Sequence, residues 1–133
     1  MMTKEIRPWL VLAGLTLGVM VTNGFVRFAY GLILPAMRAE LNWSFAQAGW
    51  LNTANAIGYL CGAVITALAI QNISQTKLFS IGLVLTTLSL IATGIETSMW
   101  WQTSWRFLAG FFGAMSFSTA GALVGSLFPK NPR

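Results

Sequence analysis

Charged residues are scarce in this chain, and acidic residues are the scarcest. Only 8% of its 133 residues are charged, and three Asp or Glu stand against eight Lys or Arg. A soluble domain averages about 25% charged residues, so a soluble protein of this size could not cover its surface. Because 56% of the residues are hydrophobic, we expect lipid to surround most of the chain.

Histidine is absent, and cysteine occurs once, at Cys61. These absences exclude a Ser-His-Asp or Cys-His catalytic set and an intrachain disulfide. Ligands at a suitable spacing for zinc are also missing, so we expect no metal site, no cofactor and no enzymatic activity. The net charge of +5 does not indicate nucleic acid, because the basic residues are scattered singly instead of sharing one face.

Four long neutral runs organise the sequence, at 8–26, 41–76, 78–95 and 107–129. A membrane-spanning helix needs about 20 apolar residues, whereas the strands of a membrane barrel would alternate in polarity. The sequence therefore predicts an all-α membrane protein with about four transmembrane helices in one unit, 1–133. We place the spans at about 9–34, 44–70, 77–95 and 104–128.

Local signals set some of these boundaries. Pro35 should end the first span, because proline cannot donate its helical hydrogen bond, and a loop from Met37 to Trp43 should follow. Ser44 with Gln47 forms a capping box that opens the second span. A cleaved signal peptide is a weaker reading of the N-terminus, since the apolar run exceeds the usual 7–15 or so residues.

Basic residues indicate the orientation. One side of the predicted topology carries Lys4, Arg7, Lys77, Lys130 and Arg133, whereas only Arg38 lies in a loop on the other. The positive-inside rule then places both termini in the cytoplasm. Five of the six tryptophans fall near the predicted outer surface and Trp9 near the inner one, as in the aromatic belts of membrane proteins.

Two polar stripes run along the first two spans. Arg27 shares a helix face with Thr16, Asn23 and Tyr30, and the second span repeats the pattern. Such stripes must face other helices or water, which predicts a shared polar cavity. The substrate-path candidates are Asn23, Arg27, Tyr30, Asn52, Asn55, Tyr59 and Arg106. Alternatively, the asparagines join helices and the arginines extend outward to the interface.

No carboxylate lies deep enough to neutralise Arg27 or Arg106, although Glu96 could reach Arg106 from the outer end of its span. A deep counter-ion would then be a substrate anion or a group on a segment outside this sequence. Glycines four residues apart predict close helix contacts; the pairs are Gly14 with Gly18, Gly58 with Gly62, and Gly121 with Gly125.

Three segments resemble one transporter family. RFLAGFFGA at 106–114 resembles the R-F-L-x-G-x-x-x-G-type pattern of the fourth helix in the major facilitator superfamily, with Gly113 one place early. The segment 27–35 looks like the end of the first helix, and together with 49–60 it resembles the bacterial YbfB/YjiJ-type subgroup. The glycines of this fourth-helix pattern, Gly110 and Gly113, join Gly58 and Gly62 as predicted helix-packing residues.

The resemblance implies the first four helices of a twelve-helix secondary transporter with alternating access. Arg27 and Arg106 would then lie on the cavity wall, in a bacterial inner membrane. The chain would be a partial N-terminal half, inactive without the missing transporter segments. One departure is clear: Gln71 and Asn72 stand where the family carries an acid and a base after the second helix.

A self-sufficient four-helix oligomer, either a small carrier or a membrane scaffold, is the alternative. Small multidrug carriers resemble the chain in size, but they depend on a carboxylate in the first helix, where this chain carries Arg27. The unpaired arginines favour an anion or an amphipathic acid as the solute.

Overall fold

The computed structural model describes residues 8–127, which form four long helices. They are α1 Pro8–Glu40, α2 Phe45–Ala69, α3 Gln75–Thr93 and α4 Met99–Leu127. Each is long and apolar enough to cross a membrane, and residues 8–127 contain no strand. The predicted all-α membrane fold with four spans is therefore confirmed. Below, the side holding the α1–α2 and α3–α4 loops is the distal side, and the opposite side is the terminal side.

The end of α1 differs from the prediction, because the helix continues through Pro35 to Glu40. Proline removes its own hydrogen bond and crowds the carbonyl four residues earlier, yet the turns on either side of Pro35 stay helical. Asn42 stops the helix instead, with a positive φ of 53°, a conformation that asparagine tolerates. Beyond it, the Trp43 N–H donates to Arg38 O at 3.0 Å, which closes a Schellman-type end. The predicted loop from Met37 to Trp43 was therefore wrong in its first part.

The middle of α1, Met20–Ala29, is a π-helix of 10 residues. Such winding is rare and occurs mostly as single turns near functional sites. No feature of the sequence predicted it. It changes which side chains of α1 share a face, because the angular step between residues is smaller than in an α-helix.

The start of α2 follows the prediction closely. Ser44 N–H donates to Gln47 Oε1 at 2.9 Å, and Gln47 N–H donates to Ser44 Oγ at 3.2 Å. Both halves of the predicted capping box are therefore present. They satisfy two backbone N–H groups that the first helical turn leaves without partners.

The start of α4 lies at Met99, about one turn before the predicted position, because side chains of its first turns close the end of α3. The buried Gln102 donates from Nε2 to Thr93 O at 2.6 Å and to Glu96 O at 2.7 Å. Trp101 Nε1 donates to Ala92 O at 2.7 Å. These bonds satisfy carbonyls at the C-terminus of α3 and shorten the connection to 94–98.

Helix α4 contacts all three other helices, and its contacts with α2 and α3 are the most extensive. Against α2, the spacing is set by glycine on both sides. A Cβ at Gly58 or Gly62 would overlap the carbonyl oxygen of Phe107 or Phe111, and a Cβ at Gly110 would overlap Asn55 O. The two backbones therefore lie in direct contact, as small residues allow in membranes.

Other glycines behave differently. Gly18 lies against the ring of Phe79, where an added Cβ would be 2.9 Å from Cζ, whereas Gly113 has only Thr22 O at 4.0 Å. Gly14, Gly121 and Gly125 have no described atom within 4 Å of an added Cβ. The prediction of close packing was therefore wrong for these three, because their faces open onto unfilled space.

Substituting Gly58 with alanine should destabilise the fold by about 1–3 kcal/mol, because the new methyl group must push the α2 and α4 backbones apart. The control is Gly49→Ala on the same helix, where an added Cβ meets nothing within 4 Å. Thermal unfolding of both purified variants in detergent, followed by tryptophan fluorescence, measures the difference. Equal melting temperatures for the two variants would contradict the close contact.

Candidate substrate pocket

Helices α1, α2 and α4 enclose an open polar pocket of about 310 Å³, lined by Arg27, Asn52, Asn55, Ala56 and Arg106. Four of these five residues are substrate-path candidates from the sequence. The volume lies at the lower end of the range for small-molecule sites, about 300–1,000 Å³. We call this space the polar pocket.

Arg106 forms the base of the polar pocket and is only 1% exposed. Its Nη1 donates to Val26 O at 3.0 Å, and its guanidinium carbon lies 3.5 Å from the centre of the Tyr30 ring. Arg106 therefore points into the bundle toward α1 and does not extend outward to the interface. Its Nε is buried without a hydrogen-bond partner.

The bond to Val26 O falls where the π-helix of α1 ends. In a regular α-helix, Val26 O would accept the backbone N–H of Tyr30, four residues on. Here the Tyr30 N–H is directed to Arg27 O, and Val26 O accepts from Arg106 instead. The buried arginine therefore bonds to the backbone of α1 at the position where the winding changes.

Asn55 joins two helices. Its Nδ2 donates to Arg106 O at 2.9 Å, and the residue is buried. This bond fixes α2 against α4 beside the glycine contacts. A hydrogen bond between helices was the alternative role predicted for the asparagines. Asn55 has that role, and it also lines the polar pocket.

Arg27 and Asn52 are exposed to the polar pocket, unlike Arg106 and Asn55. The guanidinium carbon of Arg27 lies 4.7 Å from the centre of the Tyr59 ring, so the side chain turns toward α2. Within 8–127, no ion pair neutralises either pocket arginine, and Glu96 does not reach Arg106. No group of three metal-ligating side chains occurs in this part of the chain.

The first-span stripe is divided in the structure. Tyr30 is buried under Arg106, and Asn23 does not line the polar pocket; its Nδ2 is buried without a partner. Of this group, only Arg27 lines the polar pocket, while Thr16 lies further along α1 beside another space.

A second, apolar cleft of about 430 Å³ separates α1 from α4 toward the terminal side. On α4, Phe117, Gly121 and Val124 line it, at spacings that place them on the Arg106 face. The α1 wall consists of Leu15, Thr16, Val19 and Met20. The polar pocket and this apolar cleft therefore follow one another along the same face of α4.

Sequence reasoning missed several residues of this region. Ala56 lines the polar pocket, but an alanine in an apolar run gives no signal. Thr22 and Ser116 are buried, with their hydroxyl oxygens 3.4 Å apart. Thr22 directly precedes Asn23, a member of the predicted stripe. The sequence does not reveal the π-helical winding of α1, and without it Thr22 could not have been identified.

One family model, described as "uncharacterised MFS-type transporter YbfB", matches residues 19–130. The match covers α2, α3, α4 and α1 from residue 19 onward, so the chain is a multi-pass membrane protein of the major facilitator type. It belongs to the YbfB family of these transporters. Comparisons with curated proteins and with solved structures gave no match.

Replacing Arg106 with lysine should destabilise the protein by about 1–3 kcal/mol even though the charge is kept. An ammonium group loses the planar contact with Tyr30 and most of the geometry of the bond to Val26 O. Arg38→Lys is the matched control, since Arg38 also stacks on a ring, with its guanidinium carbon 4.0 Å from the centre of Phe45, but lies near the distal end of α1. Unfolding midpoints in detergent should fall clearly for the first variant and little for the second. A larger loss in the control would overturn this role of Arg106.

Proposed function

We propose that these four helices form one wall of a secondary transporter that moves a small solute across the bacterial inner membrane by alternating access. The observation that carries the proposal is the polar pocket, where two arginines meet between membrane-crossing helices. Charged side chains within a membrane are costly and usually mark the path of a substrate or ion. Arg27, Asn52 and Arg106 are the proposed path residues.

The proposed path runs along α1 and α4. It begins at the polar pocket and continues through the apolar cleft toward the terminal side. Residues of α4 on one face line both spaces, so a solute released from the arginines has a direct route between α1 and α4. Tyr30 and Tyr59 support this path by packing against Arg106 and Arg27, and Asn23 does not line the polar pocket.

Further helices must cover this wall during transport. Arg27 is exposed in the polar pocket, and a guanidinium facing hydrocarbon would be strongly unfavourable. We infer that additional helices, either of a major facilitator half or of a second copy of this chain, close the path, and that the four helices do not transport alone.

Blocking the polar pocket tests the transport proposal. The variant Ala56→Trp should fill the pocket and reduce solute exchange at least tenfold, whereas Val64→Trp, on the exposed side of α2, should leave exchange unchanged. Proteoliposomes containing the protein with its covering helices would be screened with labelled organic anions, cations and neutral solutes. Exchange that survives the Ala56 substitution would place the path elsewhere.

The same assay on the 133-residue chain alone tests the need for further helices. We expect no exchange when the chain is monomeric by light scattering. Exchange by a defined oligomer would identify a second copy as the covering wall, and exchange by a monomer would contradict the proposal.

The orientation is proposed from the basic residues, with the terminal side in the cytoplasm. Asn42 and Asn72 lie in loops on opposite sides of the helices and provide a matched pair. In a Cys61→Ser background, a membrane-impermeant maleimide should label Asn42→Cys in intact cells and Asn72→Cys only after permeabilisation. The reverse pattern would invert the proposed topology.

A further inference from the structure

We propose that the polar pocket binds the carboxylate of a small organic anion, with Arg27 as the contacting cation and Asn52 as a second donor. This inference rests on the proposed function, because it names the class of solute that the path would carry. It follows from three properties of the described residues: the charge balance of the pocket, its available hydrogen-bond donors and its apolar continuation.

The charge balance favours an anion. Arg27 and Arg106 both line the polar pocket, and the acidic residues among the described ones, Glu40 and Glu96, lie at or beyond helix ends. No carboxylate pairs with either arginine within residues 8–127. Two guanidinium groups close together in a low-dielectric region repel each other, so an anion between or beside them gains attraction from both.

The available donors point to Arg27 and not to Arg106. Arg106 is 1% exposed, and its Nη1 is already bonded to Val26 O. Arg27 is exposed in the pocket, and its identified contact is with the face of Tyr59. An aromatic face leaves the in-plane N–H groups of a guanidinium available, and two parallel N–H groups match the two oxygens of a carboxylate.

Asn52 supplies a second donor at the same opening. Its side chain is exposed in the polar pocket, whereas the Nδ2 of Asn55 is bonded to Arg106 O. Arg106 then acts as a positioning residue: its positive charge attracts the anion, and its bond to Val26 O holds the α1 segment that carries Arg27.

The surroundings favour an organic anion over inorganic phosphate. A phosphate dianion would need several more donors than one exposed guanidinium and one amide. Ala56 forms part of the wall, and the apolar cleft lies further along the same face of α4. A singly charged acid with an apolar body matches a polar pocket that is followed by an apolar cleft.

Binding can be measured without transport. The 133-residue chain would be placed in nanodiscs of zwitterionic lipid and titrated calorimetrically with benzoate, its neutral analogue benzamide, the cation benzylammonium and inorganic phosphate. We expect saturable binding of benzoate, at least tenfold weaker binding of benzamide and benzylammonium, and no competition by phosphate at equal concentration.

Variants test whether benzoate binds at the polar pocket or at basic residues elsewhere. Arg27→Gln should weaken benzoate binding at least tenfold, and Arg27→Lys should restore part of the loss, since it keeps the charge without the planar donors. Arg38→Gln is the control, because Arg38 also stacks on a ring but lies outside the pocket. Melting temperatures would show that all three variants are folded.

The results distinguish this inference from the transport proposal. Benzoate binding that depends on Arg27, without exchange in proteoliposomes that contain the protein with its covering helices, would support the anion site and contradict the transport path. Exchange of a cation or neutral solute that Ala56→Trp blocks, with no benzoate binding, would support the path and overturn the anion site. Equal binding of phosphate and benzoate would overturn the organic class.

Discussion

The buried guanidinium of Arg106 is the interaction on which the arrangement of the helices around the polar pocket depends. It extends from α4 to the backbone of α1, and the carbonyl of the same residue accepts the side chain of Asn55 on α2. One residue thus joins three helices at one level. A charge buried in this way is tolerated only because hydrogen bonding and the Tyr30 ring replace water. The other charge, on Arg27, lies beside the Tyr59 ring but stays exposed and faces the pocket.

The close contact of α2 with α4 makes the connection through Arg106 possible. Gly58, Gly62 and Gly110 let the two backbones touch, which brings Asn55 within bonding distance of Arg106 O. Larger residues would separate the helices and leave the Asn55 amide without its partner inside the membrane, where an unsatisfied polar group costs several kcal/mol. The glycines therefore determine the pocket geometry although none of them lines the pocket.

The number of helices and most of the pocket residues could be predicted from the sequence, because long neutral runs and isolated arginines have few alternatives in lipid. The capping box at Ser44 was equally readable, since it depends on two neighbouring residues. The path of α1 was not. Pro35 is normally a strong stop signal, but the helix continues to Glu40 and Asn42 stops it. The π-helix has no local marker in the sequence, and Arg106, which bonds to its backbone at Val26 O, is 80 residues away.

The glycine contact also has a mechanical consequence. Two helices whose backbones touch have no layer of side chains between them to absorb sliding or rotation, so α2 and α4 should deform little against each other. Helix α1 is different, because side chains and an open cleft separate much of it from α4. The compliance of this bundle is therefore concentrated in α1, the helix that carries the exposed arginine.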